Sequence, residues 1–218
     1  MVIAMQTRQQ NKPDIDKRTF DFILDNVEGR SKDNPEIVGH AAVFNEYADI
    51  LWWKERIMPG AFRESIKKDD VRALFNHDSN YILGRNKSGT LTMKEDDVGL
   101  SVRIKPPDTQ FAKDLVKLIE RGDISQMSFA FQVIEDAWQY GEDKDPDKRD
   151  MIKLRLFDVS PVTYPAYPTT DVSVRSYEAW QKEKDDLIQR STPKLWRTSL
   201  LKRKLAFKEK GGYKNDYE

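Results

Sequence analysis

Cysteine is absent from this 218-residue chain, and its absence excludes disulfides, thiolate metal sites and a cysteine nucleophile together. Histidine occurs only twice, at His40 and His77. A histidine-rich metal site is therefore excluded, and any histidine catalysis falls to one of these two. An excess of charge of one sign is also missing. The 37 Lys+Arg balance 37 Asp+Glu, so no global charge points to nucleic acid as a partner. No apolar run is long enough to cross a bilayer, and the N-terminus has no charged-then-apolar leader. The expectation is a soluble, unsecreted protein with no membrane partner. No internal repeat is found. The acidic pair Asp96-Asp97 and the DKDPDKRD run lack calcium-loop spacing, so neither a metal nor another cofactor is expected.

The chain contains 38% hydrophobic and 34% charged residues, which is polar for a globular protein. Part of it is therefore expected to be tail or loop. Residues 1–16 are polar and without period, and read as a flexible arm. Strand patterns follow at 18–27 and in IVGHAAVFN, where Gly39 is a candidate bulge. The aromatic stretch ADILWWKERIMPGAF is broken at Pro59-Gly60, and AFRESIKK suits one or two helical turns. VRALFNHD reads as a short strand ending in a turn, and at least two strands follow before residue 105. Residues 109–121 are the clearest helix. Phe111, Leu115, Leu118 and Ile119 share a face, Asp108 suits the N-cap and Gly122 the position after the C-terminus. YGEDKDPDKRD reads as a highly charged loop or hairpin excursion, and MIKLRLFDVSPVTYP as a returning strand. One helix among many short strands predicts an α+β domain with a mostly antiparallel sheet or barrel.

Composition shifts near residue 176. The last 43 residues carry 11 Lys+Arg against 7 Asp+Glu, and the preceding 175 carry 26 against 30. Leu195, Leu201 and Leu205 lie among Arg197, Lys202, Arg203 and Lys204. That is a basic amphipathic tail, read as a solvated helix or docking segment rather than a nucleic-acid or membrane binder.

Three polar residues stand on or beside strands that otherwise bury apolar side chains. In DISQMSFAFQVI, Met127, Phe129, Phe131 and Val133 alternate as one apolar face, while Ser128, Ala130 and Gln132 take the other. The small second face is either a wet strand surface or room for something to approach. His77 ends VRALFNH in parity with Val71, Ala73 and Phe75, and is either a hydrogen-bonded structural residue or a base near an edge. Asp158 shares parity with Ile152, Leu154 and Leu156. A carboxylate in an apolar row needs a partner, which is an arginine, backbone amides or a histidine. A serine becomes a nucleophile only beside a base that a third group orients, in any chain order.

Six segments carry a family resemblance in their order and spacing: IVGHAAVFNEYADI, ERIMPGAFRESI, VRALFNHDSNYILGR, SGTLTMKEDDVGLSVRIK, LIERGDISQMSFAF and LFDVSPVTYPAYP. Together, over about residues 17–175, they resemble the prohead maturation proteases of tailed bacteriophages, which are related to the herpesvirus capsid-assembly proteases. The resemblance implies a β-barrel-like, herpesvirus-protease-like core with packed helices. It implies a serine endopeptidase with Ser128 as nucleophile and His77 as general base. Asp158 is favoured as the third member, with Glu55 and His40 as the alternatives. The implied partners are the major capsid protein, its scaffold and the protease itself, inside a procapsid assembling in the host cytoplasm. A homodimer is implied by the herpesvirus relatives. The competing readings are an inactive assembly factor built on a protease-like domain, and a hydrolase of another bond such as an ester. Residues 176–218 match no family pattern.

Overall fold

The computed structural model describes residues 6–9, 16–20, 26–29, 35–50, 52–141, 145–164 and 181–182. The chain divides into two compact units at Ser173/Val174. The basic stretch at 195–205 lies outside the described residues.

In chain order the elements are β1 (Gln6–Gln9), β2 (Asp16–Phe20), β3 (Asn26–Gly29), β4 (Pro35–Val43), β5 (Ala48–Ile50), β6 (Trp53–Ile57) and α1 (Arg63–Lys68). There follow β7 (Arg72–Phe75), β8 (Asp78–Arg85), β9 (Leu91–Glu95), β10 (Gly99–Ile104), α2 (Gln110–Glu120), β11 (Gln126–Gln139) and β12 (Asp147–Val162). The class is α+β, strand-rich and mostly antiparallel. The strands form an eight-stranded sheet and a four-stranded sheet, and no closed barrel is found among the described residues. Closure would need every edge strand to find a second partner. Here β5 and β8 pair with one neighbour each, as do β3 and β9 in the smaller sheet.

The long hairpin of β11 and β12 organises the larger sheet. Each strand is long enough to hold two neighbours end to end on its outer edge. Beside β11 these are β2 at Met127–Phe131 and β1 at Glu135–Trp138. Beside β12 they are β6 at Asp147–Met151 and β7 at Asp158–Val159, both parallel to it. Part of the segment read as a flexible arm, Gln6–Gln9, is thus a strand. Its backbone hydrogen bonds to a sheet edge require no apolar period in its own sequence.

Three expectations need correction. Both faces of β11 are buried from Met127 to Val133, so the side carrying Ser128 is not a wet surface. α2 is capped by Thr109, whose side-chain oxygen accepts from Ala112 N, rather than by Asp108. Its inward face is Ala112, Leu115, Val116 and Ile119, leaving Leu118 exposed. Of the two readings of YGEDKDPDKRD, the hairpin is the one found: DKRD begins β12, the returning strand, and Arg149 within it is fully buried. Gly122 adopts φ +81 after the helix, as its position predicts.

The core joins both sheets and α2. Phe44, Phe62, Phe129 and Phe131 form an aromatic chain through its centre, with centroid spacings of 6.2, 5.6 and 4.7 Å. Burial of each such ring contributes about 1.5–3 kcal/mol. A polar cluster sits near the β11–β12 turn. Arg149 Nε donates to Asp136 Oδ2 at 2.7 Å, and Arg149 Nη1 lies 3.5 Å from Glu55 Oε2. Trp138 and Trp53 also donate to those carboxylates. No helix among the described residues is long and apolar enough to cross a membrane.

Candidate active site

The site starts from strand register. On β11 and β12, Ser128 lies directly opposite Ser160, and Ala130 opposite Asp158. Residues two apart on a strand share a face, so Ser128 and Asp158 are diagonal neighbours on one face of the hairpin. Such diagonals are about 7–8 Å apart, too far for direct contact and near the span that an imidazole bridges with its two nitrogens. Ala130 in the same row keeps that space open.

The imidazole arrives from a hairpin turn, not from a strand face. β7 ends at Phe75, which pairs with Asp78, so Asn76 and His77 form a two-residue loop. Both have positive φ, +53 and +59, the geometry that matches hairpin twist and that asparagine tolerates well. Histidine, with asparagine and aspartate, is among the residues that take positive φ more often than most. The strand parity that aligned His77 with Ala73 and Phe75 ends at this turn. Asn76 N donates to Pro161 O at 3.0 Å, and its side-chain amide pairs with Thr163, donating to Oγ1 at 3.2 Å and accepting from N at 2.9 Å. The turn is thereby fastened to the end of β12, the strand that carries Asp158. At the other end of the β7–β8 hairpin, Arg72 and Arg85 face each other, and Asp70 pairs with both. The Arg85 hydrogen bonds hold the Asp70 carboxyl down to about 2.

His77 Nε2 lies 2.8 Å from Ser128 Oγ, and His77 Nδ1 lies 2.6 Å from Asp158 Oδ1. Ser128 has no exposed surface, and the His77 and Asp158 side chains are 8% and 12% exposed. These contacts assign the tautomer. An ionised carboxylate only accepts, so Nδ1 carries the proton and Nε2 offers its lone pair to the serine O–H. Ser160 Oγ also donates to Asp158 Oδ1, at 2.7 Å.

The two alternatives to Asp158 lie elsewhere. Glu55 is on β6 in register with Arg149, in the buried polar cluster. His40 is on β4, where Nε2 is 3.0 Å from Asp96 Oδ2. Burial opposes the charge of Asp96, but hydrogen bonds from Gly99 N, His40 and Val98 N outweigh it and hold its carboxyl below the ordinary range. Sequence reading missed Asn76 and Ser160. The signal for Asn76 was its place before a histidine at the end of a strand, since asparagine favours left-handed turn positions. For Ser160 it was the i+2 spacing from Asp158, which puts both on one strand face.

Among curated proteins none matches this sequence. Among solved structures, the capsid assembly protease of bacteriophage T4 resembles this chain with a TM-score of 0.45 and 13% identity, covering 71% of this chain and all of that one. The model of the caudovirus prohead serine protease family matches residues 22–184, and this chain belongs to that family.

Proposed function

We propose that the chain is a serine endopeptidase of capsid maturation in which Ser128 is the nucleophile, His77 the general base and Asp158 the residue that orients it. The observation that carries this reading is the unbroken hydrogen-bonded line from Asp158 through His77 to Ser128. Ser128 Oγ attacks the scissile carbonyl while its proton passes to His77 Nε2. Asp158 keeps the ring in the productive tautomer and stabilises the imidazolium. His77 then protonates the departing amine, and water, deprotonated by the same nitrogen, releases the acyl group. Because Ser128 is covered in this conformation, a substrate carbonyl reaches Oγ only as neighbouring side chains give way.

The substrates in this reading are the scaffold or the scaffolding segment of the major capsid protein, and the protease itself, inside the procapsid in the host cell. Kinship of the fold to herpesvirus proteases, with a homodimer, belongs to the same proposal. The test is to co-assemble the purified chain with capsid and scaffold proteins and map products by mass spectrometry. Discrete cuts that depend on the chain are expected. Intact capsid and scaffold proteins in shells that contain the folded chain would favour an assembly factor without protease activity.

The turn clamp makes a separate prediction. Asn76→Gly keeps the left-handed turn available and removes the amide pairing to Thr163. It is expected to slow phosphonylation of Ser128 by a fluorophosphonate by about ten- to a hundredfold, with little change in Tm, because a reacting group displaced by about an ångström costs that much. An unchanged labelling rate would show that the turn holds His77 without the clamp.

A further inference from the structure

Ser160 is fully buried, opposite Ser128 in register, and its hydroxyl donates to the same Asp158 oxygen that faces His77. A carboxylate turns about a broad torsion and does not by itself hold one oxygen toward a partner. Two donors converging on Oδ1, from Ser160 at 2.7 Å and His77 at 2.6 Å, remove that freedom. Strand geometry makes the Ser160 contact short, because the i and i+2 side chains stand side by side on one face. A buried hydroxyl without an acceptor is costly, so the contact is also self-enforcing.

We propose that Ser160 is a positioning residue: it fixes the Asp158 carboxylate so that Oδ1 meets His77 Nδ1, and thereby sets the ring against Ser128. This inference rests on the catalytic reading of Ser128, His77 and Asp158. In this assignment Ser160 acts through Asp158, to which it donates.

The experiment uses the full chain. Wild type, Ser160→Ala, Ser160→Thr and Ser128→Ala are compared in two measurements. One is the rate of phosphonylation by a fluorophosphonate, followed by mass spectrometry. The other is the proton NMR resonance of His77 Nδ1–H, which needs no activity. Ser160→Ala is expected to slow labelling about ten- to a hundredfold, the usual effect of losing a buried donor to a charged group. It should also move or broaden the Nδ1–H resonance, with Tm lowered by roughly 3–12 °C and the chain still folded at the temperature of measurement. Ser160→Thr restores the hydroxyl and is expected to label within about threefold of wild type. An unmoved resonance in Ser160→Ala, with or without slower labelling, overturns the proposal. Failure of the catalytic reading looks different: wild type and Ser128→Ala would then react alike, whatever the resonance does.

Discussion

Ser128→Ala is expected to fold with a wild-type melting curve and to lose cleavage of capsid and scaffold proteins by a factor on the order of 10⁴–10⁶. The size follows from what is removed. In the proposed mechanism the hydroxyl supplies the covalent step, and without it His77 has no proton to take and Asp158 no cation to stabilise. The fold should survive because Ser128 contributes one oxygen to a strand whose other six residues from Met127 to Val133 are buried and supply the packing. Asp158→Asn offers an independent arm. An amide at the Oδ1 position can donate to Nδ1 and so favours the tautomer in which Nε2 carries the proton. A fall of about 10⁴ in kcat with the fold intact is the expected result. His40→Ala is the control, since His40 pairs with Asp96 and not with the line at Ser128. Turnover surviving in purified Ser128→Ala, or equal losses in Asp158→Asn and His40→Ala, would remove the assignment.

Arg149→Met carries the largest expected stability effect. Arg149 is fully buried between Asp136 and Glu55, which are themselves fully buried, and its guanidinium carbon lies 5.3 Å from the Trp138 ring centroid. Removing the cation leaves two carboxylates in the interior, each beside an indole donor. Breaking such a pair costs about 3–5 kcal/mol, a large share of the stability of an ordinary domain. Thermal unfolding, measured in a Ser128→Ala background so that the proposed self-cleavage cannot intervene, should show Tm lowered by roughly 6–20 °C. Neutralising the carboxylates as well, with Asp136→Leu and Glu55→Gln, should recover much of the loss, because the penalty lies in the unpaired charges rather than in the missing arginine. A Tm within a degree or two of wild type would mean that the cluster is solvated in the folded protein. Asp136 is eight residues from Ser128 on β11, about 26 Å along the strand, so Arg149→Met made in the chain that keeps Ser128 should label there as wild type does, once scaled to its folded fraction.

The cluster also shows where sequence reading stopped. Arg149 and Asp150 stand in a run of mixed charges whose composition fits a charged loop or hairpin excursion and says nothing of burial. Their pairing with Asp136 and Glu55, and with Arg56, depends on partners 13 to 94 residues away. On α2 the period puts Phe111, Leu115, Leu118 and Ile119 on one face, whereas the neighbours bury Leu115 and Ile119 together with Ala112 and Val116.

The sequence by itself determined the elements and the chemical inventory. Period and turn residues located α2 with Gly122 after it, the break at Pro59-Gly60 and the long strand through Ser128. The lack of cysteine and the scarcity of histidine left few groups able to activate a serine, because those limits need no geometry. Tertiary structure alone decided which of them meet. Ser128, His77 and Asp158 are joined by a register between β11 and β12 and by a two-residue turn that carries His77 out of its strand's parity. Both depend on long-range backbone pairing, which local period cannot encode, and for the same reason only the fold separates Asp158, beside His77, from Glu55 and His40.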